Sequence, residues 1–473
     1  MAETSNLLTF HASVVALPTR ASSLWSRALE YVLVYGLALG LMFGPLAFGA
    51  VQEWSIFILE VVAAALFLIW LIRQISTRTG FAANSLYAPI LMFALVVGLQ
   101  LLLRRPAYAN AERTAVLKYI AYGLFLLVAA QTLCDRANLR RFAGAMTLFG
   151  FLLSIFAIIQ SLTSVDRIYW IFELNRRNFI YGPYVNHNHY AGLMEMLAPI
   201  GIVLSSSSLV SGGKRALAAL AAVVMAGSIV LSQSRAGTAA FLSEMVLLLV
   251  LLLHRRKDGR MAATIGGVCL MVLAFVAWIG TPALWHHFSD LQDWMRLAII
   301  KDGVEMFWHK PILGWGLGTF TTVYPQFRSF YTDLFVNAAH NDYMQVLVET
   351  GMIGFAAVVW FILLLYRAGL RNSDGWNRSW SQTLGLSALV GCTGLLIHSA
   401  FDFNLQIPAN ACFFYFLCAV TTATASRPNA PLRKGHYEQR DFQVTVLDPD
   451  FRESWSRDER RRSGVTSIQK RRR

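Results

Sequence analysis

Four short polar segments in an otherwise apolar chain carry the side chains that could do chemistry. They lie at 186–189, 232–237, 295–320 and 339–343. The guanidinium groups of Arg235 and Arg296 could neutralise a diphosphate, and the imidazole of His340 could take a proton from an attacking hydroxyl near neutral pH. Two arginines and a histidine at one membrane face are what a metal-free transfer from a lipid diphosphate would require.

The same segments have a purely structural interpretation that must be weighed beside the chemical one. Asn186 and Asn188 stand where a predicted helix begins, and so do Asn341 and Asp342. Short amide and carboxylate side chains at such positions commonly cap the helix. Taken singly, each residue is explained by capping, so the chemical interpretation depends on the whole set meeting at one face.

Neither a metal centre nor a nucleotide loop is indicated. The alternating glycines at 314–318 allow a tight turn or a close backbone approach, but no predicted strand precedes them, as a dinucleotide motif requires. Asp448 and Asp450 are an acidic pair far from the other polar segments, and His286 and His287 lack a third ligand at a suitable spacing. We therefore expect chemistry without a divalent ion or other cofactor.

Membrane-spanning helices are the elements that must position these side chains. Of the 473 residues, 56% are hydrophobic and only 14% are charged, which excludes an ordinary water-soluble domain. Apolar runs of about 17 to 22 residues match helices that cross a bilayer, and no strand-like period competes with them. We predict an all-α, polytopic helical membrane protein with about 12 transmembrane helices, near 31–51, 54–72, 87–103, 117–133, 142–162, 189–209, 215–232, 238–253, 261–279, 343–366, 382–400 and 408–424.

Positive charge predicts the orientation of these spans. Lys and Arg are concentrated in alternate loops, which places both termini in the cytoplasm. A large loop at 280–339 separates the ninth and tenth spans on the outer face, and it contains an amphipathic helix that Pro311 ends. The predicted divisions are a cytoplasmic N-terminal segment at 1–30, a transmembrane domain at 31–424 and a basic cytoplasmic tail at 425–473.

The net charge of +14 does not indicate a nucleic-acid partner, because much of it lies in that tail. Residues 427–473 contain 13 Lys and Arg against 7 Asp and Glu, a balance typical of a segment held near anionic lipid. The 5 cysteines form no paired motif, so neither a disulfide framework nor a zinc site is expected. The N-terminus shows no pattern typical of a removable signal peptide.

The polar segments, taken in order, resemble those of the O-antigen ligase and polymerase superfamily, which are membrane glycosyltransferases of the GT-C type. The resemblance covers roughly residues 180–410, and its motifs are VNHNHYAG at 185–192, SQSRAG at 232–237, MRL at 295–297 leading to PILGWGLGTF at 311–320, HNDY at 340–343 and HSAFDF at 398–403.

This resemblance implies a function and a place in the cell. The expected donor is a glycan on undecaprenyl diphosphate in the bacterial inner membrane, transferred with inversion and without metal to an acceptor hydroxyl at the periplasmic face. By motif matching, Arg235 and Arg296 bind the diphosphate and His340 activates the acceptor. Further substrate-binding residues are then expected at Asn186, Asn188, Asn341, Asp342 and Asp402.

Three alternatives stay open at this point. The acceptor could be lipid A-core, as in a ligase, another lipid-linked glycan, as in a polymerase, or a protein hydroxyl, as in some relatives. A transporter or flippase of lipid-linked saccharides would also present outer-face arginines, and its coupling carboxylates could be Glu60, Glu195 and Glu244 inside the predicted spans. A scaffold for polysaccharide assembly would leave His340 replaceable.

Overall fold

The prediction of an all-α polytopic fold is confirmed by the computed structural model. It describes residues 21–77, 80–103, 109–133, 136–164, 166–173, 180–255, 266–267, 270, 291–333, 335–373 and 376–423. The helices of these ranges are α1 Ala21–Leu46, α2 Glu53–Thr77, α3 Tyr87–Leu103, α4 Ala109–Thr132, α5 Arg136–Thr163, α6 His187–Ser206, α7 Gly213–Leu231, α8 Arg235–Arg255, α9 Leu291–His309, α10 Phe320–Val323, α11 Asp342–Ser373, α12 Trp380–His398 and α13 Pro408–Thr422.

Short elements connect some of these helices. Single 3-10 turns lie at Phe48–Ala50, Tyr324–Gln326 and Asn404–Gln406. Two antiparallel strands of two residues each, β1 Arg167–Ile168 and β2 Phe172–Glu173, form a small hairpin after α5, with Arg167 opposite Glu173. Helices therefore dominate the described part of the chain.

The predicted spans coincide with helices wherever the structure describes them. Eleven of the twelve fall on α1 to α8 and on α11 to α13, whereas the span near 261–279 and the start of the large loop lie largely outside the described residues. Eight of the described helices are long and apolar enough to cross a membrane, and α3 and α13 are shorter apolar helices. The chain is a multi-pass membrane protein by these criteria.

The core of the bundle is built around α6 and α12. Every residue of α6 from 188 to 205 is buried, and most of α12 is buried as well. By contrast, α2 exposes large apolar side chains such as Phe57, Leu68 and Ile75. A helix that is apolar and covered on all sides belongs at the centre, and one with exposed apolar side chains is suited to contact lipid. Polar residues on α6 must therefore find partners within the protein.

The first helix begins earlier than its predicted span. α1 starts at Ala21 rather than near residue 31, because hydropathy marks only the part of a helix suited to hydrocarbon. The polar end is held in place by Glu30, whose carboxylate accepts a hydrogen bond from Arg73 of α2 at 3.1 Å and another from the side chain of Asn138 of α5. Helical structure thus continues beyond the apolar run.

The described part of the large loop is folded against α11. α9 shows that a helix forms at the predicted place and ends before Pro311. Apolar side chains lie on both of its sides, because Trp294 and Trp308 are 59% and 70% exposed while Ile299 and Met306 are buried, so its predicted amphipathic character stays a prediction. These buried residues form a small second core with Phe320 and other apolar side chains of the loop. The loop therefore has a fixed structure that can hold Arg296 in place.

Candidate active site

His340 lies directly before α11 and faces the carboxylate of Asp402, which follows α12. Its Nδ1 atom is 3.5 Å from Asp402 Oδ1, and the histidine side chain is 25% exposed whereas Asp402 is fully buried. The backbone of His340 has a φ of 50°, in the left-handed region. A partly exposed imidazole with one nitrogen toward a buried carboxylate leaves its second nitrogen available to act as a base.

Two hydrogen-bond donors and two nearby basic side chains hold Asp402 as an anion. Asn188 of α6 donates its side-chain amide to Asp402 Oδ2 at 2.6 Å, and the Phe403 N–H donates to Oδ1 at 2.9 Å. Burial alone would raise the pKa of this carboxyl, but the facing His340 imidazole and the positive charge of Arg296 help to hold the pKa of Asp402 well below its usual range. The carboxylate is therefore charged at neutral pH.

The start of α6 is fixed to the same region. Asn186 is its N-cap, and its side chain accepts the Asn188 N–H at 2.9 Å, as capping predicts. His189 Nδ1 lies 3.4 Å from Asn404 Oδ1, and the Phe403 ring packs edge-on against both His189 and His340. The two histidines thus share one aromatic neighbour, which fixes the ring planes relative to each other.

The His340 segment is docked onto the end of α12 through its backbone and side chains. The Asp342 N–H donates to the Ser399 carbonyl at 2.9 Å, and the Asn341 side chain donates to the Ala400 carbonyl at 2.9 Å. Asn341 also caps α11 by accepting the Met344 N–H, and Asp342 accepts the Leu405 N–H. In the structure the side chains of Asn341 and Asp342 make hydrogen bonds to backbone groups. Their contact with substrate stays a prediction.

Arg296 approaches this cluster from α9. It is partly exposed, and its positive charge acts on both Asp402 and His187. Arg235, by comparison, is the half-buried first residue of α8, after a turn in which Gln233 has a φ of 61°. The start of α8 packs closely against α6, because a methyl group on Gly237 would lie only 2.9 Å from Glu195 of α6. The meeting of Arg235 with Arg296 at one ligand stays a prediction.

The glycine-rich loop after α9 makes the close backbone approach that its sequence predicts. Gly314, Gly316 and Gly318 all have positive φ. Glu349 of α11 accepts the Gly318 N–H at 2.8 Å and the Phe320 N–H at 3.2 Å through its carboxylate, and its carbonyl accepts the Gly316 N–H at 2.8 Å. The loop is therefore fixed along the first turns of α11, next to the His340 segment.

Replacing Gly351 with alanine should destabilise this arrangement. Gly351 has a φ of 65° and a ψ of −171°, a conformation nearly restricted to glycine, and an added Cβ would overlap the Ile312 carbonyl. We expect Gly351→Ala to lose roughly 1–3 kcal/mol of stability from backbone strain and more from the overlap, measured as a lower unfolding temperature in detergent. Gly123→Ala on α4, where a Cβ meets nothing within 4 Å, is the control. Equal unfolding temperatures for the two variants would contradict this account.

Some residues of the cluster are not recognisable as a site from the sequence. Asn404 and Asn410 are buried and hydrogen-bonded to each other at 3.0 Å, Tyr184 donates to Asn410 at 2.9 Å, and Asn404 contacts Gly192 so closely that a methyl there would overlap it. An amide inside a predicted apolar span is the signal that the sequence offers for Asn410, whereas Asn404 lies in the turn before that helix and has no such signal. In the described ranges, no three His, Cys, Asp or Glu side chains gather as a metal-binding group.

Comparison with known proteins identifies the segment that carries part of this cluster. Residues 220–359 match the family model described as O-antigen ligase. The match includes Arg235, Arg296, His340 and Glu349, whereas Asn188 and Asp402 lie outside it on either side. No match was found among curated proteins. The predicted resemblance is confirmed for the matched segment.

Proposed function

We propose that the chain is a glycosyltransferase that moves a glycan from undecaprenyl diphosphate to an acceptor hydroxyl at the periplasmic face of a bacterial inner membrane. The match of residues 220–359 to the O-antigen ligase family model and the apolar helices long enough to cross a membrane support this proposal. The observation that carries this proposal is the contact of partly exposed His340 with the buried Asp402 carboxylate. This contact supplies a base in the matched segment, and the charge of Arg296 acts on the carboxylate that faces this base.

In the proposed reaction His340 is the general base. Its second ring nitrogen, Nε2, takes the proton of the acceptor hydroxyl as the oxygen attacks the anomeric carbon. The bond from that carbon to the diphosphate oxygen breaks, the electron pair leaves with undecaprenyl diphosphate, and the configuration inverts. Asp402 stabilises the imidazolium that forms and fixes the ring orientation. The proton then passes to water, which the exposed part of His340 can reach.

Arg235 and Arg296 are proposed to stabilise the diphosphate leaving group. A guanidinium donates two parallel hydrogen bonds to phosphate oxygens, whereas an ammonium group acts as a point charge. No divalent ion is required if these two side chains neutralise the charge that develops on the diphosphate.

Arg296→Lys and Arg235→Lys should therefore each lower turnover severely, by about 10²-fold, the usual cost of one lost donor to a developing anion. The measurement is the initial rate of glycan transfer at saturating donor, in protein of matched abundance. Arg328→Lys, at an exposed position of the same large loop, is the control and should keep the parental rate. Full activity in Arg235→Lys or Arg296→Lys would mean that the arginine concerned is structural.

The identity of the acceptor determines whether the proposed enzyme is a ligase or a polymerase. A ligase transfers the glycan to lipid A-core, and a polymerase transfers it to another lipid-linked glycan. Either partner would approach in the plane of the membrane among lipids, with both termini of the chain on the cytoplasmic side. The transmembrane domain at 31–424 would then present its site outward, and the tail at 425–473 would stay inside.

Transfer by purified protein in detergent tests the function directly. The donor is an undecaprenyl-diphosphate glycan, the candidate acceptors are offered one at a time, and excess chelator is present throughout. Release of lipid diphosphate together with a newly attached glycan supports the proposal and names the acceptor. Absence of turnover with every acceptor, combined with movement of lipid-linked saccharide between leaflets of liposomes, would favour the transporter instead.

A further inference from the structure

A fully buried pair of ionisable side chains lies at the turn that carries Asp402. His398 Nδ1, at the end of α12, is 2.9 Å from Glu195 Oε1 of α6, and neither side chain has any exposed surface. Ionisable residues in an apolar helical core are costly, so they persist where they have a specific use. The reaction proposed above does not use this pair.

The turn at 398–402 is built on His398. Its carbonyl accepts the N–H of Phe401 at 2.8 Å and that of Asp402 at 3.0 Å. The next two carbonyls of this turn, those of Ser399 and Ala400, receive the donors from the His340 segment described above. Asp402 and the segment before α11 are thus both attached to one short turn, so a shift of the turn moves the base and its carboxylate.

One face of α6 anchors this turn at two points. Asn188 binds the Asp402 carboxylate, and Glu195 binds the His398 imidazole. These two residues are seven apart, which puts them on the same side of the helix and about 10 Å apart along its axis. The turn is thus attached to α6 at its first residue, His398, and at its last residue, Asp402. Two attachments prevent the turn from rotating as well as from shifting.

We propose that Glu195 and His398 are positioning residues that hold the 398–402 turn in place, so that His340 and Asp402 meet in the geometry needed for proton transfer. This inference rests on the proposed function only in its kinetic consequence. The placement of His340 is a property of the fold and can be measured without any glycan transfer.

Glu244 provides a matched control within the same core. It lies on α8, is fully buried, and packs so closely against Gly394 of α12 that a methyl group there would overlap its carboxyl. In the described part of the chain, neither of its oxygens has a hydrogen-bond partner. Glu244→Gln therefore changes a buried carboxyl of the same kind without breaking a bond to the turn.

Chemical labelling tests the placement of His340. Diethyl pyrocarbonate reacts with accessible imidazoles, and peptide mass spectrometry reports the rate at His340, which is 25% exposed, separately from that at the fully buried His398. We expect faster labelling of His340 in Glu195→Ala and His398→Asn, an intermediate rate in Glu195→Gln, which keeps the shape and an acceptor, and the parental rate in Glu244→Gln. Parental labelling in all four variants would overturn the proposal.

Measurement of kcat and KM distinguishes a role in positioning His340 from a role in packing the helix core. A misplaced base should lower kcat about 10- to 100-fold in Glu195→Ala and His398→Asn and leave the KM for the lipid donor unchanged, with partial recovery in Glu195→Gln. An equal loss of kcat in Glu244→Gln would overturn the proposal. If Glu195→Ala and His398→Asn fail to fold, the isosteric Glu195→Gln decides by the same two readouts. If the parent shows no transfer, the proposed function fails, and the labelling result still decides whether the pair positions His340.

Discussion

Replacement of His340 by alanine is expected to lower the turnover number for glycan transfer by about 10²- to 10⁴-fold, the range that a positioned general base contributes. The variant keeps Asp402 and both arginines but has no group to take the acceptor proton. The measurement is product formation from the lipid-linked donor, with membrane abundance and the unfolding temperature determined on the same preparation.

Insertion and abundance should be unaffected by this change. His340 is partly exposed and precedes α11, and the docking of its segment depends on Asn341 and Asp342 instead. His309→Ala is a suitable control, because this exposed histidine ends α9 in the same large loop. A His340→Ala protein that forms near-normal amounts of product would remove His340 from the mechanism.

Replacement of Asp402 by asparagine should be nearly as damaging, with a loss of about 10²- to 10⁴-fold in turnover. The substitution keeps the shape of the side chain but removes the negative charge that stabilises the protonated imidazole. The new amide has one oxygen instead of two, whereas Asp402 accepts hydrogen bonds from both Asn188 and the Phe403 N–H. One of these two hydrogen bonds is therefore lost or reversed.

The exchange of Asn188 and Asp402 separates the two effects. Combining Asn188→Asp with Asp402→Asn restores a donor and an acceptor across the 2.6 Å contact but leaves the charge on α6, away from His340. We expect the double variant to recover the unfolding temperature of the parent and to remain slow. Recovery of activity along with stability would show that the charge at residue 402 is not required.

The pH dependence of stability follows from the lowered pKa of Asp402. Because this pKa is lower in the folded protein than in the unfolded chain, the carboxylate stabilises the fold above its ordinary pKa of about 3.9. The contribution is lost only as the pH falls through the lowered value. The difference in stability between the parent and Asp402→Asn should therefore be present above about pH 5 and shrink in strong acid.

The features recognisable from the sequence are those that depend on neighbouring residues. Span positions follow from local hydropathy, the cap at Asn186 from one side chain and its own helix, and the bend at the glycine loop from three glycines. The pairing of Glu195 with His398 does not follow in this way. It joins residues 203 positions apart, and Glu195 by itself fits a transporter carboxylate equally well.

The contact of Asn188 with Asp402 spans 214 residues, and this separation has a consequence for biosynthesis. At a synthesis rate of about 5–20 residues per second, α6 exists for roughly 10–40 s before its partners are made. During that interval the polar side chains of α6 have no partners from α12 or the turn after it. A chain that ends before α12 therefore lacks the partners of both Asn188 and Glu195, and under the proposed function it should not transfer glycan.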